Sequence, residues 1–151
     1  MLSGSLSAGE TSTCALSNGA VLCWGSNASG QVGNDSGTDS HVPVQVSGLS
    51  EGGQAVVVGD SHACAIVNGA LECWGNNADG ELGDGTTASK SLPVAVNAAS
   101  GSALHGKTGV AIAAGFEWSM ALCSDGTMVS WGYNSVGQLG DGTETNRTVP
   151  V

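Results

Sequence analysis

Short apolar runs of four to six residues, separated by polar stretches that carry glycine, extend along the whole chain. CALSNGAVLC and CAIVNGALEC each set Asn-Gly between two such runs. Asn-Gly supplies two positive φ angles for a type I′ turn, so both segments predict tight β-hairpins. Asp125-Gly126 takes the same place further on, in a slightly longer loop. Upstream of the hairpins, QAVVVG and VAIAAG read as buried strands. Downstream, PVQV and PVAV read as short strands opened by proline, which suits an edge position. No stretch has convincing helical periodicity. The pattern predicts an all-β protein with about four short strands per fifty residues.

The same pattern recurs three times. CWGSNASGQVG returns as CWGNNADGELG and SWGYNSVGQLG. Trp24, Trp74 and Trp131 are each followed by a glycine (Gly25, Gly75, Gly132) and then an asparagine (Asn27, Asn77, Asn134). A Gly-x-x-Gly run comes next: Gly30 and Gly33, Gly80 and Gly83, Gly137 and Gly140. A proline closes each unit: Pro43, Pro93 and Pro150. Such self-similarity makes the chain one repeat domain, residues 1–151, with repeats at about 3–53, 54–108 and 109–151. The tryptophans are expected to anchor packing between units, because a buried aromatic carries a large area. Four strands per repeat suggest one blade of a β-propeller.

The motif Gly…Cys/Met-Ala-Leu…Asx-Gly…Trp-Gly-x-Asn-x-x-Gly-Gln-Leu-Gly…Pro-x-x-Val resembles the regulator of chromosome condensation repeat family, over about Ala8 to Val151. That resemblance implies a β-propeller, commonly seven-bladed. It also implies a scaffold shared by nucleotide exchange factors for a small nuclear GTPase, ubiquitin-ligase accessory domains and a secreted bacterial inhibitor of β-lactamase. Three copies do not close a seven-bladed ring, and the third stops at Val151, inside its expected last strand. Two readings follow: a piece of a longer propeller, or a chain that completes its ring with a copy of itself. The start MLSGSLSAGE lacks the basic and apolar regions of a signal peptide, which fits a piece whose leader lies upstream.

Four of the five cysteines have informative positions. With Asn18-Gly19 as a two-residue turn, Cys14 faces Cys23 on a non-hydrogen-bonded pair. There Cα atoms approach to about 4.5 Å, the short end of what a disulfide accepts. Cys64 and Cys73 have the same relation around Asn68-Gly69. Two disulfides are therefore predicted, and with them an exported protein, of bacterial type. Copy three has Met120 and Ser130 at these positions, which leaves Cys123 over. No apolar run approaches the roughly 20 residues of a membrane span.

Charge narrows the partners. The net charge is −10, with 13 acidic residues against three basic ones, Lys90, Lys107 and Arg147. Such a surface repels nucleic acid and favours a basic protein partner. Just after the leading glycines Gly9, Gly59 and Gly115 stand carboxylates: Glu10, Asp60 and Glu117. In a propeller they share one end and circle the axis, where they could hold a cation or a Lys/Arg-rich partner; turns also favour acidic residues for backbone reasons alone. Trp118, where the other copies have Ser12 and His62, is either a partner contact or a packing residue. Asn34, Asp84 and Asp141 are expected to close Asx-turns. Lys90 and Lys107 are expected to stand alone in loops.

No catalytic set is legible. Asp60, Ser61 and His62 are consecutive, so alternate strand residues point apart and cannot form a relay. No Gly-Lys-Ser/Thr follows any glycine run, so no phosphate loop is present. No cofactor or metal site is expected. The function expected is a non-catalytic protein-interaction scaffold of an exported propeller. The resemblance adds the inhibitor of a secreted enzyme as an alternative, and an exchange factor as a third reading that the charge and the disulfides oppose.

Overall fold

The computed structural model describes residues 5–98 and 100–151. Among the described residues, eleven strands form three antiparallel sheets with no crossover. The first sheet holds β1 (Leu6–Ala8), β2 (Ser12–Ser17), β3 (Ala20–Gly25) and β4 (Ser40–Gln45). The second holds β5 (Gly53–Val58), β6 (His62–Val67), β7 (Ala70–Gly75) and β8 (Lys90–Ala95). The third holds β9 (Gly109–Ala114), β10 (Trp118–Cys123) and β11 (Met128–Gly132). Its fourth strand is reduced to contacts of Arg147 with Gly132 and of Val151 with Ser130. Each sheet is a propeller blade, and the first strands β1, β5 and β9 lie beside one another.

The Asn-Gly pairs turn as their chemistry requires. Asn18 and Gly19 have φ of 52° and 83°, and Asn68 and Gly69 have 50° and 80°. Two successive positive φ angles define the type I′ turn, and the register follows from it. Cys14 lies opposite Cys23 and Cys64 opposite Cys73. Both pairs are bonded, with Cα atoms 4.1 Å apart. The third hairpin differs: only Gly126 has positive φ, and the Cys123 amide closes a longer loop onto the Thr127 carbonyl. Cys123 is left as a buried free thiol.

Two expectations need correction. The proline strands begin earlier than expected, at Ser40 and Lys90, so Pro43 and Pro93 sit inside β4 and β8. The pairing with β3 and β7 shifts register there, so a bulge beside Trp24 and Trp74 accommodates a residue with no amide donor. Secondly, VAIAAG forms a strand but not a buried one. Val110 is 54% exposed, and Ala111 and Ala113 are exposed as well. Among the described residues, no further sheet packs on that side of the third blade.

The core lies between blades. Cys14, Leu16, Val21 and Cys23 of the first blade pack on Val56, Val58, Ala63, Ala65 and Trp74 of the second. Cys64, Ile66, Leu71 and Cys73 of the second pack in the same way on Ala121, Val129 and Trp131 of the third. The first two blades thus each turn a disulfide face to the tryptophan face of the next. Strand alternation produces this, because Cys23 and Trp24 are neighbours on β3 and must point opposite ways.

Candidate functional site

The connection after each tryptophan is a rigid loop built on one asparagine. The side-chain Oδ1 of Asn27, Asn77 and Asn134 accepts from the amides of Val32, Leu82 and Leu139, each at 3.0 Å. Their Nδ2 groups donate to the carbonyls of Thr38, Ala88 and Thr145 at 3.1, 3.2 and 3.0 Å. One buried side chain ties the Gly-x-x-Gly loop to the segment that follows it. Asn34, Asp84 and Asp141 accept from the amides of Ser36, Thr86 and Thr143, as Asx-turns do. Lys90 pairs with Asp84, Arg147 with Asp141 and Lys107 with Asp125. The expectation that Lys90 and Lys107 stand alone is therefore corrected. Long cationic side chains reach acids across a turn, a distance that sequence spacing does not convey.

The turns between first and second strands gather at one end of the blades. Here the glycines are obligatory. A Cβ on Gly9 would run into the carbonyl oxygen of Gly59, and one on Gly59 would lie 2.6 Å from that of Gly115. The Asp60 amide donates to the Phe116 carbonyl at 3.0 Å, joining the second turn to the third. This close nesting brings carboxylates of different blades together. Glu10 hydrogen-bonds the Asp60 side chain, and the Asp60 charge adds to the effect, so Glu10 holds its proton more tightly than an ordinary glutamate. Glu117 is raised as well, first by desolvation and then by the charges of Asp79 and Asp60. The exposed aromatic of this cluster is Phe116, at 62%. Trp118 is half-buried, with its indole against Gly115.

His62 points the other way, into the blade interface. It is buried, and its Nε2 lies 2.9 Å from Ser119 Oγ of the third blade. Ser119 Oγ donates to the Glu81 backbone carbonyl at 3.1 Å, so the hydroxyl proton is committed and Nε2 must be the donor toward Ser119. Burial lowers the His62 pKa to about 4, against a smaller opposing pull from Asp60. A neutral imidazole that donates to a serine whose own proton is directed elsewhere is not placed to act as its base. Ser61 bonds the Asp60 carboxylate at 3.1 Å, separate from this link. Asp60 and Ser61 thus stay together in the turn, while His62, the first residue of β6, points into the blade interface, so the three form no relay. Among the described residues, no group of three or more His, Cys, Asp or Glu side chains is placed to hold a metal ion.

The repeat profile described as "Regulator of chromosome condensation (RCC1) repeat" matches residues 18–66 and 68–122, and a second profile of the same description matches 110–138. The chain belongs to this repeat family. Solved structures superpose on it. Human WBSCR16 matches with a TM-score of 0.76 at 24% identity, covering 97% of this chain and 38% of that one. Prp20p from Saccharomyces cerevisiae matches with 0.80 at 23%, covering 97% and 37%. The chain therefore spans a little over a third of the length of these structures, and the likeness establishes the RCC1-type propeller fold. In RCC1-repeat terms, the Trp-Gly-x-Asn signature is structural chemistry: indole, tight turn and loop-pinning amide. Three features escaped sequence reasoning: the His62–Ser119 link, the exposure of Phe116, and Glu81. The Glu81 side chain caps its own loop by accepting from the Asp79 amide at 2.8 Å. Gln31 and Gln138 do the same for Ser29 and Val136. A Gln or Glu at this position in all three copies was the available signal.

Proposed function

We propose that this chain is a non-catalytic protein-interaction scaffold of an exported propeller protein. It binds a Lys/Arg-rich protein segment through the turns at one end of its blades. The observation that carries the reading is the convergence of Glu10, Asp60 and Glu117, one from each blade, with Phe116 exposed beside them. Carboxylates of different blades held close together gain from an arriving cation, which offsets their charge. An adjacent exposed aromatic adds a face for an arginine or lysine side chain. The net charge of −10 favours encounter with the same class of partner. The disulfides Cys14–Cys23 and Cys64–Cys73 support an oxidising compartment. The related yeast protein Prp20p has binding properties toward Gsp1p and histones.

The reading is tested by capture from extracellular material with the native protein and with the triple variant Glu10→Gln, Asp60→Asn, Glu117→Gln. The expected result is a protein ligand that elutes with moderate salt and is lost with the variant. Retention of the same ligand by the variant, at unchanged salt, refutes it.

A further inference from the structure

Two blade seams lie wholly within the chain, and they are built alike. In each, an indole donates to a loop carbonyl of the blade before it: Trp74 Nε1 to Gln31 at 2.9 Å, and Trp131 Nε1 to Glu81 at 2.8 Å. In each, a disulfide packs in the same core as that indole, Cys14–Cys23 in the first seam and Cys64–Cys73 in the second. All four of these cysteines are fully buried. The seams differ at one pair of facing positions. The strand residue opposite the tryptophan is Ala63 in the first seam and Ser119 in the second. Across from it stands Ser12 in the first seam and His62 in the second, opposite Gly25 and Gly75 on their own hairpins.

The second seam is therefore joined by an ionisable side chain, and the first is not. His62 Nε2 donates to Ser119 Oγ, which donates to the same Glu81 carbonyl that holds Trp131. Cys64 Sγ lies 3.7 Å from that hydroxyl. In the first seam Ser12 Oγ has no hydrogen-bond partner among the described residues. The His62 ring lies over Gly59, where a Cβ would stand 2.6 Å from Nδ1 and 2.6 Å from the Gly115 carbonyl oxygen. Nε2 already carries a proton, so acid adds the next one at Nδ1, against the place where the two blades' backbones cross. Little nearby charge holds that proton. Asp60, in the same turn, acts on His62 by less than burial does, and its carboxylate is engaged by Glu10 and Ser61. Glu81 turns its carboxylate away, to Asn76 and the Asp79 amide. Glu10, Glu81 and Glu117 take up protons more readily than ordinary glutamates, so acid removes their charge as well.

We infer that His62 is an acid latch: its protonation opens the seam between the second and third blades, leaves the first seam shut, and uncovers the Cys64–Cys73 bridge. A buried imidazolium is costly, and an opened seam gives it water. Ser119 is at once the partner of His62 and a contact of Cys64, so displacing the imidazole loosens the cover over the disulfide. The His62 pKa is about 4 in the closed seam against about 6.5 in water, so the open fraction rises about twentyfold between pH 7 and pH 5. This inference does not depend on the carboxylate reading of the turns.

The experiment is reduction of the native chain by a water-soluble trialkylphosphine at pH 7 and at pH 5. The phosphine gives two electrons to the bridge and the S–S bond breaks. Water supplies the oxygen of the phosphine oxide and the protons of the two thiols. Alkylation and peptide mass mapping separate the two bridges from each other and from Cys123. The readout is the rate at Cys64–Cys73 divided by the rate at Cys14–Cys23 in the same sample, which cancels the pH dependence of the phosphine. That ratio is expected to rise about twentyfold from pH 7 to pH 5. It is expected to stay flat in His62→Gln and in His62→Asn, which cannot ionise; circular dichroism at both pH values checks that the variants are folded. A native ratio that does not change overturns the inference, whether neither bridge responds or both accelerate together as the whole chain unfolds. A rise that persists in the folded variants overturns it as well.

Discussion

His62 makes folding stability depend on pH in a window where few other groups act. Its pKa is about 4 in the folded chain, against about 6.5 when solvated. Burial disfavours the imidazolium, so between these values the unfolded chain binds a proton that the folded chain refuses. Stability is then complete above the unfolded pKa and falls as pH drops toward the folded one. Linkage puts the loss at about 2 kcal/mol by pH 5 and about 3 kcal/mol by pH 4. Raised carboxylates such as Glu72, Glu81 and Glu117 act in the opposite sense, since the folded chain holds their protons more tightly. The effect must therefore be read as a difference. His62→Gln keeps an N–H to offer Ser119 and cannot ionise. It should cost about 1–2 kcal/mol at pH 7 through imperfect packing. Urea unfolding followed by tryptophan fluorescence should show that deficit shrinking as pH falls, and vanishing or reversing near pH 5. A deficit that stays constant between pH 7 and pH 5 would refute the buried, proton-refusing state of His62.

Other consequences are equally direct. Replacing Cys64 and Cys73 together by serine should lower stability by about 2–3 kcal/mol, the entropy of a short closed loop, as read by denaturant midpoint under non-reducing conditions. Gly83→Val should cost more than about 3 kcal/mol, because it combines a positive φ of 66° with a collision against Trp131; failure to recover folded protein, or a sharply lowered melting temperature, is the readout. The Asp141 carboxyl should titrate at about 2 by carboxyl-carbon NMR, held down chiefly by the Thr143 hydroxyl and also by Arg147. Thr143→Val should move that midpoint up further than Arg147→Ala does. Its stabilising contribution is present above the ordinary aspartate pKa near 3.8 and lost as pH falls toward 2.

Much of the fold was legible because it is local. The Asn18-Gly19 and Asn68-Gly69 turns fix the hairpin register by their own φ preferences, and that register alone placed the cysteines opposite one another. The family signature was legible for the same reason: Trp24 to Gly33 is a self-contained loop whose buried asparagine acts within eleven residues. Contacts between blades were not legible. Nothing in the spacing of His62 and Ser119 announces that strand positions of successive copies meet, and whether VAIAAG is buried depends on what packs against its sheet, which its own residues do not encode. The proline strands were misjudged at their starts because proline reads as a strand opener, whereas a bulge lets it sit within an edge strand. The candidate site was half visible. Periodicity alone picked out Glu10, Asp60 and Glu117, but Phe116 was passed over in favour of Trp118: each leading glycine bonds the residue three further on, so Phe116 and not Glu117 stands where Glu10 and Asp60 stand.

The nested glycines of the first turns divide labour in a way that bears on how such a molecule can change. Where Gly9 meets the carbonyl of Gly59, and Gly59 that of Gly115, the separation of blades is set by backbone against backbone, that is, by atoms every amino acid possesses. The residues that follow, Glu10, Asp60 and Glu117, take no part in that spacing. Their identity can be rewritten freely while the frame keeps its dimensions, much as type can be reset within a fixed chase. A surface for one partner can thus become a surface for another by substitutions that leave stability nearly untouched, whereas change at the glycines themselves is closed to every other residue.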